Sequence, residues 1–160
     1  MVLLDQALEN SRNSFTSGEF IAKLSGLVRI VTDSKNSVSN EYSISYYSEG
    51  LLSILTELGI QTKIIDNYVE NAPPFLIGER IESSDLKTIL LYGHGDTVPL
   101  QRGLWYEGLI PNELKIVDKK IYGRGVADNK GQHLVNLLAL RSVLKTVSYT
   151  HLTLPTIVRV

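Results

Sequence analysis

Over the first sixty positions apolar residues recur at helical spacing. The next sixty break into short apolar runs separated by turn residues. Leu4 and Leu8 mark a short amphipathic helix over residues 2–13. Thr16 followed by Glu19 has the pattern of a capping box, and Phe15 and Phe20 occupy the two staple positions around it. Phe20, Leu24, Leu27 and Val28 then predict a helix that ends near Ile30, ahead of the polar stretch 32–37. A second helix from about Asn40 lines up Tyr47, Leu51, Leu55 and Leu58 and closes at Gly59, a residue suited to the reversal after a helix. Residues 62–68 and 74–81 read as strands, the second opening after the Pro73-Pro74 break. After the turn at 83–85, Ile89 to Tyr92 form a short β-prone run that stops at Gly93. Residues 113–122 read as a hairpin turning at Asp118-Lys119-Lys120. Leu134, Val135, Leu137, Leu138, Leu140 and Leu144 build a helix apolar on most sides, which belongs in an interior.

Helices alternating with short strands predict an α/β fold of three-layer sandwich type, truncated, with a mixed sheet flanked by helices and covered on at least one face. An all-parallel dinucleotide-binding sheet is disfavoured, because no Gly-x-Gly-x-x-Gly opens a helix. Length and composition (160 residues, 43% hydrophobic, 21% charged) fit one globular domain with a real core. A formal charge of −1 gives no reason to expect nucleic acid or an anionic membrane as partner. No run approaches a membrane span, and the amino terminus turns acidic at Asp5 too soon for a signal peptide. A cytoplasmic location is therefore expected. With no cysteine, any transition metal must be held by His, Asp and Glu, which selects zinc, cobalt or manganese.

Candidate chemistry gathers at the end of the third strand. His94 and Asp96 lie two apart, so in extended chain their side chains point the same way. That suits an imidazole bound to metal with a carboxylate at its other ring nitrogen. A surface histidine beside a turn aspartate fits the same pair. Asp128 precedes the apolar helix, where free amides favour a carboxylate, and a plain N-cap is the simpler reading of it alone.

Taken in order, Gly93-His94-Gly95-Asp96-Thr97-Val98-Pro99, then Trp105, then Ile121-Tyr122-Gly123-Arg124-Gly125-Val126-Ala127-Asp128-Asn129-Lys130-Gly131, resemble the co-catalytic metallopeptidase and deacylase family. That family includes acetylornithine deacetylase, succinyl-diaminopimelate desuccinylase, aminoacylase and carboxypeptidase G, and the resemblance covers residues 15–146. It implies hydrolysis of an amide bond in N-acyl amino acids or short peptides, with two divalent metal ions, commonly zinc. By the same resemblance His94 is a metal ligand, Asp96 the catalytic-site residue that orients its ring, and Asp128 the carboxylate bridging two metals through a cis peptide to Asn129. Arg124 and Lys130 are then structural pairing groups, with a nearby acid one partner open to Lys130, and His133 belongs to the core or lies behind the ligands.

The chain also departs from that pattern. The resemblance implies a Glu-Glu pair about one strand beyond the last helix, its first member the base and its second a ligand, and no such pair occurs. A further acidic ligand, a final histidine ligand and a substrate-contacting lid domain, through which a homodimer would form, are likewise expected outside this sequence. Residues 1–146 thus read as the amino-terminal part of a catalytic domain. Residues 147–160 read as a non-family, artefactual tail resembling adapter or read-through sequence, with His151 no ligand. Two further readings stand beside the enzyme. One is a non-catalytic fragment with at most weak metal binding and a tendency to aggregate; the other is a mononuclear phosphoesterase using His-x-Asp.

Overall fold

A computed structural model describes residues 2–35, 41–70, 72–147 and 156–159. Its first helix, α1 (Val2–Thr16), runs further than the sequence pattern suggests. The capping box consequently does not form: Thr16 lies inside α1, where its hydroxyl donates to the Arg12 carbonyl at 3.0 Å. Gly18, in the left-handed region at φ +81°, makes the reversal and caps α2 (Glu19–Arg29) without a side-chain bond. The apolar staple does form, with the Phe15 and Phe20 ring centroids 5.8 Å apart. The second predicted helix is present but interrupted. It comprises α3 (Glu41–Ser45), a π-helical turn (Tyr46–Leu51) and α4 (Leu52–Glu57), closed by Gly59 at φ +66°.

Strands β1 (Gln61–Ile65), β2 (Phe75–Arg80), β3 (Ile89–Tyr92) and β6 (Thr156–Arg159) form a mixed sheet ordered β1-β2-β6-β3. The pairs β1–β2 and β2–β6 are antiparallel, and β3–β6 is parallel. The expected hairpin is β4 (Lys115–Val117) with β5 (Lys120–Tyr122), turning through Asp118 and Lys119 at positive φ. The helix α5 spans Lys130–Val147. Residues 156–159, within the stretch expected to be an artefactual tail, thus join β2 to β3. His151 lies outside the described residues.

One apolar core explains which residues face which way. Leu24, Leu27 and Val28 of α2 meet Tyr46, Tyr47, Leu51, Ile54 and Leu55, Leu76 of β2, and Leu134, Leu137 and Leu138 of α5. Leu91 of β3 packs against the edge of this cluster. Strand register puts Leu76, Gly78 and Leu91 on the helix-facing side and Ile65, Phe75 and Leu90 on the other. The latter three are exposed, so among the described residues the helices cover one face of the sheet. No helix among them is long and apolar enough to cross a membrane.

Helices α1, α2 and α5 are joined by one buried cation. The Arg141 guanidinium forks onto Glu19, with Nη1 2.6 Å from Oε1 and Nη2 2.5 Å from Oε2, and Nη2 also reaches the Ser14 hydroxyl at 2.8 Å. The hydrogen bond from Arg141 holds the Glu19 carboxyl down at about 2. Because the folded-state value lies below the unfolded one, this contribution to stability is fully present above about pH 4.5 and fades toward pH 2. Acid titration followed by circular dichroism will show that loss in the native chain and a shallower one in Glu19→Gln, which starts less stable at pH 7. Equal acid slopes would contradict the assignment.

Candidate metal centre

Strand β3 ends at Tyr92, and the chain beyond it is tied down by backbone bonds to the end of α2. The Thr97 amide donates to the Thr32 carbonyl at 2.8 Å, and the Ser34 amide donates to the Thr97 carbonyl at 3.0 Å. Asp33, buried between them, accepts the Leu100 amide at 3.2 Å and the Lys35 amide at 3.0 Å. Between these anchors and the strand lies Gly93-His94-Gly95-Asp96. The His94 Nδ1 sits 3.1 Å from both the Asp96 carbonyl and its Oδ1, while Nε2 sits 2.9 Å from Asp128 Oδ1. Partial burial works against a charged imidazole, but the bond to Asp128 and the contacts with Asp96 outweigh it, so the His94 pKa is raised. The structure therefore brings His94, Asp96 and Asp128 into one cluster, open to solvent on the Asp128 side (side chain 79% exposed).

Beyond its bond to His94, Asp128 is placed by the backbone around it. Its peptide to Asn129 is cis, as the resemblance implies. Downstream, the Gly131 amide donates to the Gly125 carbonyl at 3.1 Å. Lys130 is 1% exposed, and its ammonium donates to the Leu27 carbonyl at 3.1 Å and to the Ile30 carbonyl, 5.0 Å above the Tyr46 ring. Burial lowers its pKa to about 8. Of the partners open to Lys130, the structure takes not an acid but the carbonyls ending α2, where a cation is favoured by the helix dipole. Arg124 pairs with a ring and a carbonyl. Its guanidinium lies 5.2 Å over the Trp105 ring and donates to the Leu100 carbonyl at 3.4 Å. His133 is buried in the core; its Nδ1 is 2.8 Å from the Tyr46 hydroxyl, and burial lowers its pKa to about 4. The spacing that predicts the second helix does not single out Tyr46, and no local signal joins it to His133, 87 residues away.

An imidazole nitrogen and a carboxylate oxygen converging at 2.9 Å are the donor chemistry of a borderline cation such as zinc. A carboxylate behind the imidazole completes the usual orientation of such a ligand. Among the described residues no three His, Cys, Asp or Glu side chains are placed to hold one metal ion together, because Asp96 lies on the Nδ1 side of His94 and only Asp128 meets Nε2; a catalytic zinc takes about three protein donors plus water.

Residues 90–153 match the profile of Peptidase family M20/M25/M40. Cysteinylglycine-S-conjugate dipeptidase of Corynebacterium striatum is 45% identical over 69 residues, which cover 42% of this chain and 15% of that protein. Acetylornithine deacetylase of Vibrio campbellii is 31% identical over 112 residues, 70% of this chain and 28% of that protein. The solved structure of the di-peptidase Dug1p from Saccharomyces cerevisiae superposes with a TM-score of 0.79 over 98% of this chain and 34% of its own, at 18% identity, a likeness of fold. The chain thus spans about a third or less of the length of these relatives.

The turn that aims Asp128 depends on a missing side chain. A Cβ on Gly131 would stand 1.9 Å from the Val126 carbonyl oxygen, an obstacle that belongs to the backbone. Gly131→Ala is expected to destabilise the fold by about 1–3 kcal/mol, the usual cost of overpacking, in urea unfolding. A midpoint unchanged from the native chain would contradict the geometry.

Proposed function

We propose, for a chain that belongs to peptidase family M20/M25/M40, metal-dependent hydrolysis of the amide bond in N-acyl amino acids or short peptides. The observation that carries this reading is the convergence of His94 Nε2 and Asp128 Oδ1 at 2.9 Å, with Asp96 behind the imidazole. In this reading His94 and Asp128 hold a divalent cation, zinc before cobalt or manganese, and Asp128 extends to a second. A bound cation of this kind supplies Lewis-acid polarisation of the scissile carbonyl and acidification of a water. Asp96 fixes the imidazole in the tautomer that leaves the Nε2 lone pair facing the cation. The open side at Asp128 is where the substrate amide approaches.

The substrate is a small molecule, and a deacetylase and a dipeptidase among the relatives support both halves of the substrate class. A charge of −1 supports neither nucleic acid nor an anionic membrane as partner, and the cytoplasm is the proposed location. In the longer protein a lid domain would contact substrate and mediate a homodimer.

A second reading applies to these 160 residues by themselves: a non-catalytic module that binds metal weakly. It is favoured because only two donors converge among the described residues and no Glu-Glu pair occurs in the sequence to supply a base.

Both readings meet in one pair of measurements. Equilibrium dialysis with zinc is expected to detect weak binding that His94→Ala and Asp128→Asn each abolish. Zinc binding unaltered by either substitution would overturn the ligand assignment. The purified chain supplied with zinc is expected to leave a dipeptide and an N-acetyl amino acid intact. Turnover that disappears in Asp128→Asn would overturn the non-catalytic reading.

A further inference from the structure

Asp96 and Asp128 orient the His94 ring at the surface of the fold, and the interior lies behind them. The Asp128 side chain is 79% exposed, and His94 sits between flanking glycines. What the neighbours of both ligands share is one residue. Tyr46, fully buried, opens the π-helical turn that interrupts the second helix. Its ring closes on the His94 segment so tightly that a Cβ on Gly95 would lie 3.1 Å from it. On its other side the ring lies 5.0 Å below the ammonium of Lys130, two residues past Asp128. Its hydroxyl meets His133 Nδ1 at 2.8 Å, and the His133 ring presses against Gly93, where a Cβ would be 2.1 Å from Nε2. Asn129 Oδ1 reaches the same point, 2.7 Å from that Cβ position. Residues 93 and 95 flank one ligand, and 129 and 130 follow the other.

We propose that Tyr46 is the positioning residue of the centre: its ring and hydroxyl, acting through Gly93, Gly95, Asn129 and Lys130, set the separation of His94 and Asp128. The metal-binding consequence rests on the reading of those two residues as ligands. Burial raises the pKa of the phenol and lowers that of the imidazole, so both groups are neutral, and the Tyr46 hydroxyl is taken as the donor to Nδ1. That leaves the His133 proton on Nε2, beside Asn129 Oδ1. Both atoms are buried without a partner in the structure, a donor and an acceptor flanking the same point. The hydroxyl thereby orients the ring that supports Gly93. Groups that orient a metal ligand from behind typically change affinity about 10–100-fold when removed.

Tyr46→Phe deletes the hydroxyl and keeps the ring. Leu76→Val, a core change on β2, serves as a control for stability alone. Long-range proton–nitrogen spectra of the imidazoles in the metal-free chain are expected to show His133 as the Nε2-protonated tautomer. Tyr46→Phe will shift the His94 ring nitrogens and weaken zinc binding about tenfold or more by calorimetry. Leu76→Val will leave both unchanged even where its Tm is lower. His94 resonances unmoved in Tyr46→Phe, or moved equally in Leu76→Val, would overturn the proposal, as would an unchanged zinc affinity in Tyr46→Phe. Should that variant not fold, His133→Leu removes the same hydrogen bond from its other end, and the His94 resonances are read in the same spectra. A native chain that binds no zinc contradicts the ligand reading instead, and the imidazole spectra alone then decide the role of Tyr46.

Discussion

A single buried aromatic ring holds together two segments that lie 34 residues apart in the chain. Tyr46 is large enough that burying it drives packing from several sides at once, and rigid enough to act as a spacer. The loop after β3 closes on one side of it and the start of α5 on the other. Its polar ends are satisfied as well: the hydroxyl by His133 and the ring face by the Lys130 ammonium. Lys130 in turn caps the carbonyls that end α2, so the same contact ties three helical segments to the cluster. Leaving such a cation buried without those carbonyls would cost more than the bonds themselves contribute. The surface chemistry at His94 and Asp128 is therefore a consequence of interior packing.

Much of this was legible in the sequence, and the failures are physical. Spacing alone located the helices, the hairpin and the strand ending at Gly93, because each buries one face at a fixed period. Two-residue spacing placed Asp96 behind the His94 ring, and the ordered match of two motifs joined Asp128 to them. The capping box failed because α1 continues through Thr16, where the hydroxyl satisfies a carbonyl of its own helix. The π-helical turn was hidden, since Tyr47, Leu51, Leu55 and Leu58 keep helical spacing across it. Lys130 is a structural pairing group as the resemblance implies, but its partners, the carbonyls that end α2, are revealed by no local pattern. Tyr46 escaped notice because its partners arrive from residues 93 to 133. Strand β6, drawn from a stretch that reads as foreign, pairs through backbone groups that any β-prone sequence offers.

The resulting site is partial. An imidazole and two carboxylates meet in one cluster, and the chain covers 34% of the di-peptidase structure and 28% of the acetylornithine deacetylase. The helices bury one face of the sheet, while Ile65, Phe75 and Leu90 stay exposed on the other. Interior packing thus brings His94 and Asp128 together, while among the described residues no three His, Asp or Glu side chains are placed to hold one metal ion.

Zinc K-edge X-ray absorption on the loaded chain tests the central claim most directly, because imidazole rings give a distinctive outer-shell pattern. About one imidazole per zinc, with the remaining neighbours oxygen, is the expected result, and the imidazole signal should vanish in His94→Ala. Two or more imidazoles per zinc, or a pattern unchanged by that substitution, would contradict a centre built on His94 and Asp128.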